Sequence, residues 1–201
     1  MKILAFSDLH LSRGRAAALV EASAGADLVI GAGDFCNKRD GLPEAMAMLE
    51  GLKAPCVIVP GNCESDEELR AEALAGMTVL HGQAAEVAGL QIFGLGYGVP
   101  VTPFGDWSCD LSEEEATELL APCMQADLLV FHSPPKGIAD VTGTGVSVGS
   151  TAIRDAIARV QPQLAVCGHI HDAWGERGHI GETEVVNLGP SVNLFEVTPS
   201  R

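Results

Sequence analysis

Short apolar runs, each closed by glycine or a polar cluster, recur along the chain, with helical spacing between them. KILAF (2–6) reads as a first buried strand, and residues 15–23 offer a helix with Ala17, Ala18 and Val20 among its apolar positions. DLVIGAGD (27–34) predicts a second strand that ends in a glycine-rich turn. Residues 43–53 carry Met46, Leu49 and Leu52 at helical spacing, and PCVIVPGN (55–62) predicts a third strand. Ser65-Asp-Glu-Glu68 has the capping-box pattern and opens a helix to about residue 75; Ser112-Glu-Glu-Glu115 repeats it ahead of Leu119 and Leu120.

Between those two helices, TVLHG, AAEVA and LQIFGLG read as the short strands of a meander. Residues 94–110, rich in Gly and Pro and carrying Phe104 and Trp107, predict a loop. DLLVF (127–131) is another buried strand. GTGVSVG (143–149) then connects to a helix whose Ile153, Ile157 and Val160 share one face. After QLAVC (163–167), the runs AWGERG, TEVVNLG and NLFEV predict a terminal antiparallel section. Strands alternating with helices in the first half argue an α/β fold, with antiparallel strands added later.

Composition narrows this picture. The 201 residues suit one domain, 1–201, with a substantial core, and no repeat, low-complexity tract or linker divides them. Hydrophobic residues make up 47% and aromatics only 4%, so Ala, Val, Leu and Ile must build that core. The opening MKILAFSDLH has too short an apolar run for a signal peptide, and no run approaches a membrane span; a soluble cytoplasmic protein is expected. Six cysteines without any Cys-x-x-Cys spacing read as reduced thiols, not as a disulfide framework or a thiolate zinc site. The formal charge of −15 leaves no basic stripe for a nucleic-acid duplex. A phosphate-bearing substrate would have to find positive charge elsewhere.

Candidate chemistry gathers in one kind of place. Asp8 and His10 follow the first strand, Asp34 the second and Asn62 the third; His132 follows DLLVF, and His169 and His171 follow QLAVC. Ligand sites of α/β sheets lie outside the carboxyl ends of strands. Should these strands share a sheet, seven metal-capable side chains from five segments converge. Each has a plainer reading: Asp8 can cap a turn, Gly61-Asn62 is a common turn dipeptide, and His132 can serve a backbone group. Four of six histidines at strand ends weigh against all of those readings holding together. Imidazole, carboxylate and amide donors suit Mn2+, Fe, Ni2+ or Zn2+.

The ordered blocks SDLH (7–10), GAGD (31–34), GNCE (61–64), FHSPPKG (131–137) and GHIH (168–171) resemble those of the calcineurin-like metallophosphoesterases over nearly the whole chain. That resemblance implies a two-sheet mixed β sandwich flanked by helices (αββα) with a dinuclear metal centre, Mn2+ favoured. It implies one divalent ion on Asp8, His10 and His171, the other on Asn62, His132 and His169, and Asp34 bridging both. Two ions roughly 3.5–4 Å apart can share a hydroxide and clamp an in-line displacement at phosphorus. Against two aspartates and that hydroxide they leave about one formal positive charge, enough to attract a monoanionic diester into an acidic protein.

Asn62, Cys63 and His169 are the implied catalytic set. Cys63 departs from the common Gly-Asn-His block, whose histidine protonates the leaving group, although a subgroup of small prokaryotic phosphodiesterases also has Cys there. A histidine engineered at 63 would need Glu64 to orient it. Lys136 reads as a solvated loop residue, 143–149 as a connection lacking the phosphate-loop Lys, and Trp107 as a core cover before a base-stacking ring. His81 and His179 match no motif. The function expected is hydrolysis of small organic phosphodiesters, with a phosphomonoesterase or a metal-binding scaffold on the same fold as alternatives. Neither duplex nucleic acid nor a membrane is expected as a partner; homo-oligomers stay open.

Overall fold

The computed structural model describes residues 1–199 and contains two mixed sheets between two layers of helix. In the first sheet, β1 (Lys2–Phe6), β2 (Leu28–Gly31), β3 (Cys56–Ile58) and β4 (Met77–Val79) run parallel, and β11 (Asn193–Glu196) lies antiparallel on β1. In the second sheet the order is β5 (Gln83–Val87), β6 (Leu90–Leu95), β7 (Leu128–Phe131), β8 (Leu164–Cys167), β10 (Thr183–Asn187) and β9 (Arg177–Ile180). Strands β6, β7, β8 and β10 are parallel neighbours there.

Continuous apolar runs follow from this layering, because each central strand is buried on both faces. Alternate residues of β1 divide accordingly. Ile3 and Ala5 meet Ile92, Val130 and Val166 between the sheets. Leu4 and Phe6 face the helix layer, where α1 (Arg13–Ala22), α2 (Leu42–Met48) and α3 (Asp66–Glu72) supply Leu19, Met46 and Leu69. On the far side, Phe93, Leu129 and Phe131 pack under α4 (Glu113–Leu120) and α5 (Thr151–Val160) through Leu120, Ile153 and Ile157. Both capping boxes form: Ser65 and Ser112 each accept the N–H three residues on, while Glu68 and Glu115 reach back to their backbone N–H groups.

Three sequence expectations change. The expected meander does not form as one unit. β5 and β6 pair antiparallel, but β4 joins the first sheet parallel to β3, because α3 carries the chain across as a β-α-β unit. In the terminal section, β9–β10 and β11–β1 are antiparallel, whereas β10 is parallel to β8 because β9 runs back between them in the chain. Strand structure in that section begins only at Arg177. In α1 the buried face is Ala16 and Leu19, with Ala17 and Ala18 exposed; α2 ends at Met48, before Leu52.

Candidate metal centre

The strands preceding the candidate ligands belong to two sheets, not one. β1, β2 and β3 come from the first and β7 and β8 from the second, and their carboxyl ends deliver the side chains to one edge of the sandwich. Local backbone makes the turn possible. Asp8, His10, Asp34 and His169 all have φ between 44° and 67°, a left-handed conformation that Asp and His tolerate better than most residues. The chain therefore folds back sharply over each strand end. Glycine leaves room for the carboxylates: a Cβ on Gly61 would lie 2.0 Å from Asp34 Oδ1, and one on Gly168 would lie 2.5 Å from Asp8 Oδ2.

All seven predicted side chains meet in two donor groups. In the first, His10 Nε2 lies 3.2 Å from His171 Nε2, and His171 Nε2 lies 3.7 Å from Asp8 Oδ1. In the second, Asn62 Oδ1 lies 3.1 Å from His132 Nε2 and 3.0 Å from His169 Nδ1. Asp34 stands between them. Its Oδ2 is 3.5 Å from His10 Nε2 and its Oδ1 is 3.4 Å from His132 Nε2. Asp8, Asp34, Asn62 and His132 are buried at the base, while His171 is exposed at the rim.

Hydrogen-bond roles show that this cluster fits cations. His10 Nδ1 donates to the Cys36 carbonyl at 3.0 Å, and His132 Nδ1 donates to the Ala32 carbonyl at 2.8 Å. Each ring thereby turns its Nε2 inward, the atom through which a neutral imidazole binds a metal. The Asn62 Nδ2 group donates to Ser108 Oγ at 3.0 Å, which turns Asn62 Oδ1, another acceptor, inward. Ring nitrogens, Asp34 oxygens and the Asn62 oxygen thus converge at about hydrogen-bond distance, a donor set that suits a divalent ion. Asp8–His10–His171 is a metal-capable grouping in itself, Asp8–Asp34–His132 spans the two donor groups, and a third, His10–Asp34–Cys63, brings the Cys63 thiol to their border.

Electrostatics set these groups in their charged and neutral forms. Burial works against charge on Asp8, but the His171 imidazole, the field of His132 and the Ser7 hydroxyl outweigh it and hold the carboxyl at about 2. Trp174 Nε1 and the His169 amide also donate to Asp8, each at 3.1 Å. Burial and the Asp34 carboxylate push the Cys63 thiol up.

The sequence reading missed several supports. Glu64 is fully buried and accepts the N–H groups of Gly61 and Asp34 at 2.7 and 2.8 Å. Burial and Asp34 push its carboxyl up to about 7. Its only sequence signal was its place in GNCE; it braces the loops and is not free to orient a residue at 63. Ser7 and Trp174 flank the motifs, and Ser108 lies in the glycine- and proline-rich loop without any motif of its own.

Lys136 is not a free solvated side chain: its Nζ donates to the Ser147 carbonyl at 2.6 Å and ties down the 143–149 connection. Trp107 packs partly against the helix-side core and also lines the site, its ring 5.5 Å from that of Phe104. His81 accepts the Gly96 N–H at 3.2 Å, and His179 is exposed on β9. A cavity of about 810 Å³ opens over His10, Asp34, Asn62, Cys63, His169 and His171. Among the described residues, no helix is long and apolar enough to cross a membrane, and all six cysteines are unpaired.

Known proteins place these features in a family. The calcineurin-like phosphoesterase superfamily domain matches residues 1–196. Metallophosphoesterase domain-containing protein 1 of Homo sapiens is 32% identical over 148 residues, covering 70% of this chain and 42% of the relative. A Caenorhabditis elegans UPF0046 protein is 27% identical over 143 residues, 69% of this chain and 34% of the relative. The matched stretch is thus less than half the length of either relative. Two solved structures share the fold. The Thermus thermophilus protein TT1561 has a TM-score of 0.74 at 18% identity, covering 94% of this chain and 88% of that one. A dimetal phosphatase from Danio rerio has a TM-score of 0.64 at 15% identity over the same shares. With the superfamily domain spanning nearly every described residue and the two-sheet architecture matching, the chain belongs to the calcineurin-like phosphoesterase superfamily.

Proposed function

We propose that the chain, acting as one domain, is a dinuclear-metal-dependent hydrolase of small organic phosphodiesters. Asp8, His10 and His171 hold one divalent cation, Asn62, His132 and His169 hold the other, and Asp34 serves both. The observation that carries this reading is the Asp34 carboxylate, each oxygen of which faces a different donor group. Bound divalent ions, Mn2+ favoured, would supply Lewis acidity and an activated water for in-line displacement at phosphorus. The chain's own groups do the rest. Glu64 fixes the loops that carry Asp34 and Asn62. Ser108 holds the Asn62 carboxamide in one orientation. The water oxygen bonds to phosphorus, the ester P–O bond breaks, and the departing alkoxide takes a proton to leave as an alcohol.

Diesters are favoured over monoesters because Cys63 stands where an imidazole acid would assist a poor leaving group, and because the modest positive charge suits a monoanion. The acidic chain, with 12 Lys plus Arg against 27 Asp plus Glu, supports poor cleavage of long duplex DNA. Six unpaired cysteines support a reducing, cytoplasmic setting. Metal-depleted protein reloaded with Mn2+, Ni2+ or Zn2+ should cleave bis(p-nitrophenyl) phosphate faster than p-nitrophenyl phosphate. A faster monoester reaction, or salt-sensitive cleavage of duplex DNA, would overturn the specificity.

A further inference from the structure

A second cavity, of about 670 Å³, adjoins the metal-centre cavity and shares Pro103, Phe104 and His169 with it. One wall is the 99–104 segment and the other is the end of the glycine-rich connection at Ser147–Gly149. Its two charged lining groups are already engaged. Lys136 Nζ donates to the Ser147 carbonyl, and Glu113 accepts the Ser150 hydroxyl and the N–H groups of Thr151 and Ala152. What faces the cavity is therefore mainly apolar, although it opens beside the most polar part of the molecule.

The wall formed by the glycine-rich connection is fixed in place. Asp140 Oδ2 accepts the N–H groups of Gly137 and Gly149, each at 2.9 Å, and the Ser147 hydroxyl as well. Asp172, next to His171, accepts the Gly143 N–H at 2.7 Å. Two of the eight large hydrophobic side chains exposed among the described residues, Val101 and Phe104, lie on the 99–104 wall and line the cavity. Val101 is 63% and Phe104 49% exposed, so core packing does not account for them. Preformed apolar concavities with a few polar edges are how proteins seat small organic groups.

We infer that this cleft binds the uncharged, apolar ester group of the phosphodiester substrate, with Phe104 at the passage between cleft and metal centre. The inference rests on the phosphodiesterase reading above and adds the class of organic group. An anionic second substituent would meet the Glu113 carboxylate there, and Lys136, the one Lys or Arg in the lining, has its Nζ held at the Ser147 carbonyl. A methyl ester is too small to reach the cleft's apolar walls, whereas a butyl or phenyl ester can.

The test is a series of p-nitrophenyl alkyl phosphodiesters that keeps the leaving group constant while the other ester runs from methyl to butyl. Each methylene buried should raise kcat/KM by roughly fourfold at the usual transfer energy. Val101→Asp and Val148→Thr should each flatten that increment, whereas Met124→Asp, on a remote exposed side chain, should leave it intact. Calorimetry with the monoanionic methyl and butyl esters of methylphosphonic acid on metal-loaded protein gives the same increment without turnover. Hydrolysis failing while butyl still binds tighter than methyl would remove the phosphodiesterase reading and leave the cleft standing. Equal binding of the two esters, or an increment unchanged in both cleft variants, would overturn the cleft assignment.

Discussion

Glu64 Oε1 receives the backbone N–H of Asp34 at 2.8 Å, so a side chain with no access to solvent fixes the residue that stands between the two donor groups. The same oxygen takes the Gly61 N–H, and Oε2 faces the Cys36 amide and thiol. A buried donor left without its partner costs about 1–3 kcal/mol. Glu64→Ala strands at least two, so unfolding stability should fall by roughly 2 kcal/mol or more. Glu64→Gln keeps Oε1 as an acceptor and should lose less. Urea titrations in which the two variants are equally stable would show that these hydrogen bonds do not brace the loops.

Stoichiometry separates the shared ligand from the single-site ones. Native protein should hold about two divalent ions per chain. Asp34→Ala should weaken both sites, and Asn62→Ala mainly one. Because Asp34 Oδ1 also accepts the Cys63 N–H at 2.9 Å, Asp34→Asn is the cleaner variant, keeping an acceptor while removing the charge. Elemental analysis that finds two full sites in both Asp34 variants would remove Asp34 as the shared residue.

The parts of this architecture legible in the sequence were those encoded locally. Buried strands such as DLLVF carry uninterrupted apolar side chains, and the capping boxes at Ser65 and Ser112 mark helix starts through a fixed i to i+3 geometry. The candidate ligands stood out because they follow those strands. Partner choice was not legible. MTV in β4 is short and only half-buried, and nothing within it says whether it pairs with β3 or β5. Supporting residues were hidden for a similar reason: Ser108 reaches Asn62 across 46 positions, from a loop without periodicity. Which face of α1 is buried was not legible, because alanine offers little contrast between faces.

Acid should weaken the hold of Glu68 on the segment beside the site. Arg39 Nε and Nη2 donate to the two Glu68 oxygens at 2.8 and 2.7 Å, and the Arg39 backbone N–H donates to the Cys63 carbonyl. The Arg39 hydrogen bond holds the Glu68 carboxyl down, from 4.5 to about 2. A carboxylate depressed on folding adds stability that is present above its unfolded value and is lost as pH falls through the folded one. The native protein should therefore exceed Glu68→Gln in stability at pH 7. That gap should close between about pH 4.5 and pH 2. Its size should be ~1 kcal/mol or less, since the pair is largely exposed. Denaturant midpoints whose difference is constant across this range would remove the ion pair as its source.

If the chain hydrolyses phosphodiesters as proposed, Cys63 should set how the rate depends on the leaving group. An unperturbed histidine, at about 6.5, can donate a proton near neutrality, whereas a free thiol sits near 8.5. Here burial and the Asp34 carboxylate push the Cys63 thiol further up, making it a weaker acid still. Rates should fall steeply as leaving-group pKa rises, and Cys63→Ser should keep much of the activity on p-nitrophenyl esters. Cys63→His would restore an acid of suitable strength, and the side chain already borders the large cavity. Glu64 cannot orient that ring, however, because its oxygens are held by the Gly61, Asp34 and Cys36 backbone. The gain on alkyl esters should thus stay below the ~10²–10⁴-fold typical of a positioned general acid. A Cys63→Ser protein that retains both metals yet loses nearly all activity on bis(p-nitrophenyl) phosphate would make Cys63 a nucleophile and overturn this account.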